Sequence, residues 1–135
     1  MTVATPFFLK LQKGFLLRGS KLKKFDFQIQ AGDDMKVRVS IVDKQTQPVD
    51  VSAYRAAMQI RSCVDSPDAI DTLTTENGRI EMGNGFLVLN FTNRVTEKFR
   101  AGSFVYDLEL ISPTDFITKI LGGTVKVLAE VTKID

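Results

Sequence analysis

Met35-Lys36-Val37-Arg38-Val39-Ser40-Ile41 alternates apolar and polar residues over seven positions. On a strand this places Met35, Val37, Val39 and Ile41 on one face and Lys36, Arg38 and Ser40 on the other, so the segment is a half-buried strand. Upstream, Phe25, Phe27 and Ile29 alternate with Lys24, Asp26, Gln28 and Gln30, and Ala31-Gly32-Asp33-Asp34 supplies turn residues between the two runs. Downstream, the polar residues from Asp43 to Pro48 read as a loop. Val49 and Val51 follow, and then Tyr54, Ala56, Met58 and Ile60 alternate with Arg55, Ala57, Gln59 and Arg61.

The same period continues to the end of the chain. After a polar stretch containing Pro67, the segment from Ile70 to Thr75 reads as a short strand, and Asn77-Gly78 and Gly83-Asn84-Gly85 are turn signals on either side of Ile80 and Met82. Phe86 to Phe91 suits a strand buried on one face. Thr92 to Arg100 is the one helical reading, a single turn capped by Asn93 with Val95 and Phe99 at i, i+4. Gly102 ends it, and Phe104, Tyr106, Leu108 and Leu110 restore the alternation. Ser112-Pro113-Thr114-Asp115 predicts a hairpin to Phe116–Ile120, and Gly122-Gly123 predicts a bend or bulge in the last strand. Together these segments predict an all-β fold, an antiparallel β-sandwich of Ig-like or jelly-roll-like kind with about eight strands and one short helical turn. The sandwich is assigned to residues 24–135, and residues 1–23 form a separate arm or a first strand.

Composition narrows the chemistry. A chain of 135 residues supports one core, and 44% hydrophobic with 25% charged residues is ordinary for a globular domain. Histidine is absent and Cys63 is the single cysteine, which excludes His-based triads, Cys-His dyads, His/Cys zinc sites and intrachain disulfides. No stretch approaches the roughly 20 apolar residues of a membrane-spanning helix. The apolar start at Pro6, Phe7 and Phe8 lacks a preceding basic region and a cleavage site, so the expectation is a soluble, unprocessed chain made in the cytosol. The net charge of +2 conceals an asymmetry: residues 1–24 hold six basic residues and no acidic one, leaving the rest at net −4. A basic leader on an acidic body steers toward an anionic surface, or else solubilises an outward-facing strand.

Candidate constellations read as structural. Asp33, Asp34, Asp107 and Glu109 are the carboxylates that could converge, but their spacing matches no calcium loop. Cys63 has no basic-residue cluster and no histidine to lower its pKa, Asn90-Phe91-Thr92 is a sequon inside an apolar strand, and neither glycine pair carries the lysine of a phosphate loop. No catalytic, metal or cofactor-binding residues are assigned, and an enzyme is not expected. A single-stranded nucleic-acid site would need exposed aromatics beside basic groups, for which Phe25 and Phe27 next to Lys23 and Lys24 are the candidates. Their register with Ile29 writes a core face instead, so nucleic acid is not the expected partner.

Several phrases resemble a family of small β-sandwich virion proteins of tailed bacteriophages and prophages: Phe25-Asp-Phe-Gln-Ile-Gln-Ala-Gly-Asp-Asp34, Pro48-Val-Asp-Val-Ser-Ala-Tyr54, Ala57-Met-Gln-Ile-Arg61, Leu73-Thr-Thr-Glu-Asn-Gly78, Ala101-Gly-Ser-Phe-Val-Tyr-Asp-Leu-Glu-Leu110 and Gly123-Thr-Val-Lys-Val127. The resemblance spans roughly Phe25 to Thr132, and some members look similar to the N-terminal module of baseplate proteins. It implies a non-enzymatic structural protein of the virion, assembled in the bacterial host cytoplasm, that joins subunits or bridges other virion proteins at the tail, baseplate or fibre attachment. The partners it implies are other virion proteins and further copies of the chain, as a homo-oligomer or ring, with no cofactor and no membrane. The alternatives are a capsid cement or decoration protein, a single-stranded nucleic-acid-binding β-barrel, and after these a glycan-binding module.

The N-terminal segment lies outside the resemblance. Phe7, Phe8, Lys10, Leu11, Lys13, Phe15, Leu17 and Arg18 combine apolar and basic residues that a sandwich of eight strands does not need for its own core. These eight residues are the expected partner interface, pairing with the open edge of a neighbouring subunit by β-augmentation. The rival reading is a first strand within its own sheet. The basic arm and the acidic body favour contact between subunits.

Overall fold

The computed structural model describes residues 6–12, 23–42, 45 and 47–131, the first of these segments as backbone only. Ten strands and one helical turn follow in order: β1 Pro6–Gln12, β2 Lys23–Lys24, β3 Phe27–Gln30, β4 Met35–Val42, β5 Arg55–Arg61, β6 Ala69–Thr74, β7 Ile80–Gly83, β8 Phe86–Phe91, α1 Asn93–Thr96, β9 Gly102–Ile111 and β10 Ile117–Leu128. They form a two-sheet sandwich. The smaller sheet runs β1-β4-β8-β7, and the larger runs β2-β10-β9-β5-β6, with β3 also on β10.

Period two is written into the core as expected. Met35, Val37, Val39 and Ile41 of β4 face inward, as do Ala56, Met58 and Ile60 of β5 and Phe104, Tyr106, Leu108 and Leu110 of β9. Across the core they meet Leu87, Leu89 and Phe91 of β8 and Phe27 and Ile29 of β3. Each fully buried aliphatic side chain contributes on the order of 1.5–3 kcal/mol by leaving water. Phe27 is the hub of an aromatic cluster, edge-on to Tyr106 at 5.1 Å, tilted to Phe91 at 6.3 Å and stacked with Phe25 at 5.8 Å. On the outer face of β8, Phe86 lies under the guanidinium of Arg38 at 4.0 Å.

Three details differ from the sequence reading. The sheets are not purely antiparallel, because β1 runs parallel to β4, and both β2 and β3 run parallel to β10. The segment around Phe25 is not one strand but two, interrupted at Phe25 and Asp26, and among the described residues there are ten strands. The irregularity in β10 lies between Lys119 and Leu121, not at the glycines. Ile120 is the extra residue there, and the phase shift it causes is why neighbouring Ile120 and Leu121 are both buried.

Gly123 serves the edge instead. A Cβ on Gly123 would stand 2.5 Å from the Phe25 carbonyl oxygen and from Asp26 Oδ1, so only glycine lets the interrupted edge approach β10 this closely. The β7–β8 hairpin turns on Gly85 at φ 90°, and the loop before β5 is tied to it at the Asp50–Asn84 bridge, where the Val51 amide donates to the Gly83 carbonyl at 3.3 Å. By contrast, Asn77-Gly78 closes no hairpin: it carries the chain from β6 in one sheet to β7 in the other. Asn77 Oδ1 holds this crossing by accepting from the amides of Thr74 and Arg79, both at 3.0 Å.

Candidate functional site

The first candidate surface is the N-terminal strand. β1 lies along β4 of its own chain, with Phe7 opposite Val37, Phe8 opposite Arg38, Lys10 opposite Ser40 and Leu11 opposite Ile41. These four members of the expected interface therefore sit at a sheet margin, where among the described residues no strand flanks β1 on its other side. Lys13, Phe15, Leu17 and Arg18 lie outside the described residues. A margin strand of seven residues presents a row of backbone donors and acceptors, the chemistry by which sheets extend into other chains.

The other margins are blunted. β7 has only four residues. β6 is hooked by Asn77, whose amide donates to the Thr72 carbonyl at 3.0 Å. On the far margin of the larger sheet, β2 and β3 are separated by the break at Phe25 and Asp26, which three hydrogen bonds hold. The Phe25 amide donates to the Gly122 carbonyl at 2.9 Å, Asp26 Oδ1 accepts from the Thr124 amide at 2.8 Å, and the Tyr106 hydroxyl donates to the Phe25 carbonyl. The Thr124 amide holds the Asp26 carboxyl below the usual carboxylate range. Burial, with a smaller contribution from the Asp26 charge, pushes the Tyr106 hydroxyl well above the usual tyrosine value.

The outward face of the larger sheet forms a shallow groove of about 600 Å³ over Gln59, Arg61, Thr72, Asp107 and Lys119. Both of its cations are engaged. Lys119 pairs with Asp107 at 3.1 Å, and Arg61 donates to Gln59 Oε1 at 2.6 Å and to the Ser66 carbonyl at 2.7 Å. The four carboxylates singled out in the sequence are not brought together. Asp107 and Glu109 lie on β9, whereas Asp33 and Asp34 lie in the β3–β4 connection, where Asp34 accepts from the Asn93 amide at the start of α1. Among the described residues no three Asp, Glu or Cys side chains gather as metal ligands. Phe27 is buried and Phe25 packs against the core, so neither ring is presented for stacking on a base.

A third surface was not anticipated. At one end of the sandwich, Ile70, Val95, Phe99 and Phe104 wall a notch of about 350 Å³ that Asp71, Lys98 and Arg100 also line. Lys98 and Arg100 are exposed, as is Arg94 in α1. The sequence carried part of the signal, since the segment from Asn93 to Arg100 has three basic residues to one acidic. What it could not carry was the juxtaposition of that segment with β6 and the start of β9. Cys63 is exposed in the β5–β6 loop, and Asn90 of the sequon donates to Glu81 Oε2 at 2.8 Å on the sheet surface. Among the described residues no helix is long and apolar enough to cross a membrane.

No family model and no curated sequence matches the chain. Among solved structures it is similar to the N-terminal domain of phage TP901-1 ORF48, at a TM-score of 0.50 and 11% identity, over 97% of this chain and 100% of that one. A family 123 glycoside hydrolase from Clostridium perfringens is similar at a TM-score of 0.41 and 11% identity, over 91% of this chain and 26% of that one. The second likeness is too distant to support an argument. The first shows a shared fold, and the resemblance to virion β-sandwiches read in the sequence agrees with it at that level.

Proposed function

We propose that this chain is a non-enzymatic structural component of a tailed-phage virion, which joins copies of itself or bridges other virion proteins at the tail, baseplate or fibre attachment. The observation that carries the reading is the likeness to the N-terminal domain of a phage protein over 97% of this chain and all of the other. The surfaces support it, because a long regular margin strand and exposed charged ends suit lasting contact with other chains better than turnover of a small molecule. The mechanism is strand-edge pairing and burial, with weak contacts multiplied by symmetry.

Mass spectrometry of purified particles tests it, together with cryo-imaging of labelled particles. The expected result is a fixed copy number, located at the tail, and a chain lacking residues 1–20 that folds but is missing from particles. Signal on the capsid surface would replace the tail reading with a cement or decoration role. Absence from particles would end the proposal.

A further inference from the structure

The loop between β5 and β6 and the notch beside α1 carry opposite charges that the described part of the chain leaves unpaired. Val64 stands with Asp65 in the turn of the loop, with 83% of its surface exposed and four residues before Asp68. Asp65 and Asp68 are both exposed. At the same end of the molecule, the notch is lined by Ile70, Val95, Phe99 and Phe104 with Lys98 and Arg100, and its one carboxylate, Asp71, is already paired with Arg79 at 2.7 Å. Among the described residues, none of Asp65, Asp68, Lys98 and Arg100 takes part in an ion pair.

A single exposed valine is common and carries nothing alone. Here the valine, at the edge of the groove on the larger sheet, is an apolar knob with carboxylates beside it, and the notch is a largely apolar socket whose unpaired charges are cations. We infer that these two features are the halves of one contact between two copies of this chain: Val64 of each copy seats in the notch of the other, and Asp65 and Asp68 meet Lys98 and Arg100.

Topology makes the contact reciprocal. The loop runs directly into β6, and Ile70 at the start of β6 is a wall of the notch, so knob and socket share one end of the sandwich. A two-fold axis beside that end lets each copy give a knob and receive one, which is an isologous interface. The patch is small against the roughly 1,200–2,000 Å² of a lasting interface, so the pairing is weak and concentration-dependent. Its charged rim makes it weaken with salt. This contact uses none of the N-terminal strand and goes beyond the virion reading, since it operates between purified copies.

Sedimentation equilibrium of the full chain, from micromolar to millimolar concentration at low and high salt, tests it with two charge-reversed variants. Lys98→Glu/Arg100→Glu and Asp65→Lys/Asp68→Lys each place like charges across the contact, and each is expected to raise the dissociation constant about tenfold or more. An equimolar mixture of the two is expected to restore dimers, because every contact in the mixed pair again joins opposite charges. All four positions are exposed, so melting curves are expected to stay at the wild-type position. A wild-type chain that remains monomeric throughout, variants that associate as wild type does, or a mixture that stays monomeric would each overturn the inference. Particle incorporation is read separately, so loss of the dimer and loss of the virion role are distinguishable.

Discussion

Phe25 and Asp26 interrupt the margin of the larger sheet, and three residues far along the chain absorb the interruption. Gly123 gives room, the Thr124 amide takes the Asp26 carboxylate, and the Tyr106 hydroxyl takes the Phe25 carbonyl. Gly123→Val forces a Cβ into backbone atoms that cannot move without opening the edge, and is expected to destabilise the fold by about 2 kcal/mol in chemical denaturation. Tyr106→Phe keeps the ring in the aromatic cluster and removes only the hydroxyl. It leaves a carbonyl without its donor, at a cost of about 1–2 kcal/mol near neutral pH. The pH dependence has a definite sign. Burial raises the Tyr106 pKa above its ordinary value of 10.0, so the folded chain resists ionisation that the unfolded chain accepts. That contribution is fully present below about pH 10 and is lost as pH rises toward the folded value. Wild-type stability is therefore expected to fall above about pH 10, and Tyr106→Phe to lack this share of the fall. Equal alkaline slopes in the two proteins would count against the buried hydroxyl as the cause.

At the scale of elements, α1 shows how little of a short helix comes from its own sequence. Its N-cap, Thr92, makes no side-chain capping bond, and Asn93 does not cap it as the sequence predicts. Asp34, from the β3–β4 connection, accepts from the Asn93 amide in its place. Thr96, rather than Val95, is the buried residue: its hydroxyl donates to the Asp33 carbonyl at 2.8 Å and accepts from the Gly32 amide at 3.0 Å. Asp34→Ala is thus expected to cost about 1 kcal/mol and to speed hydrogen exchange at the Asn93 amide. An unchanged exchange rate there would sink the capping role. The contrast with β4, β5 and β9 explains what the sequence made legible. Those strands bury one face each, so their alternation is printed in the chain. Partner choice is not printed, which is why the parallel placement of β1 and β3 could not be read. The bulge did leave a trace, the adjacent apolar pair Ile120 and Leu121, but the glycines beside it were the more conspicuous signal and belonged to a different contact. The interface residues Phe7, Phe8, Lys10 and Leu11 were legible as strand-forming, and their register against β4 was not, because it depends on residues some thirty positions away.

At the scale of the whole molecule, the described residues of the buried hydrophobic cluster lie between Phe27 and Val127, while β1 is a margin strand bonded, among the described residues, to β4 alone. A chain without residues 1–20 therefore keeps these core residues and exposes the β4 edge, from Met35 to Val42, that β1 otherwise covers. An open edge beside an apolar strand is an acceptor for a strand of matching pattern, and it does not distinguish a strand covalently attached from one supplied by a neighbour. A synthetic peptide of residues 1–20 is accordingly expected to bind the truncated chain in the micromolar range, measured by fluorescence anisotropy, and to bind the full-length chain much more weakly because its own β1 occupies the edge. The peptide carrying Leu9→Pro loses an amide in mid-strand and is expected to lose most of its binding. Binding that survives the proline, or none with the native peptide, would mean that the segment does not recognise β4 as a strand in trans. The basic, apolar leader would then act only within its own chain, and joining of subunits would have to rest on the charged end of the sandwich.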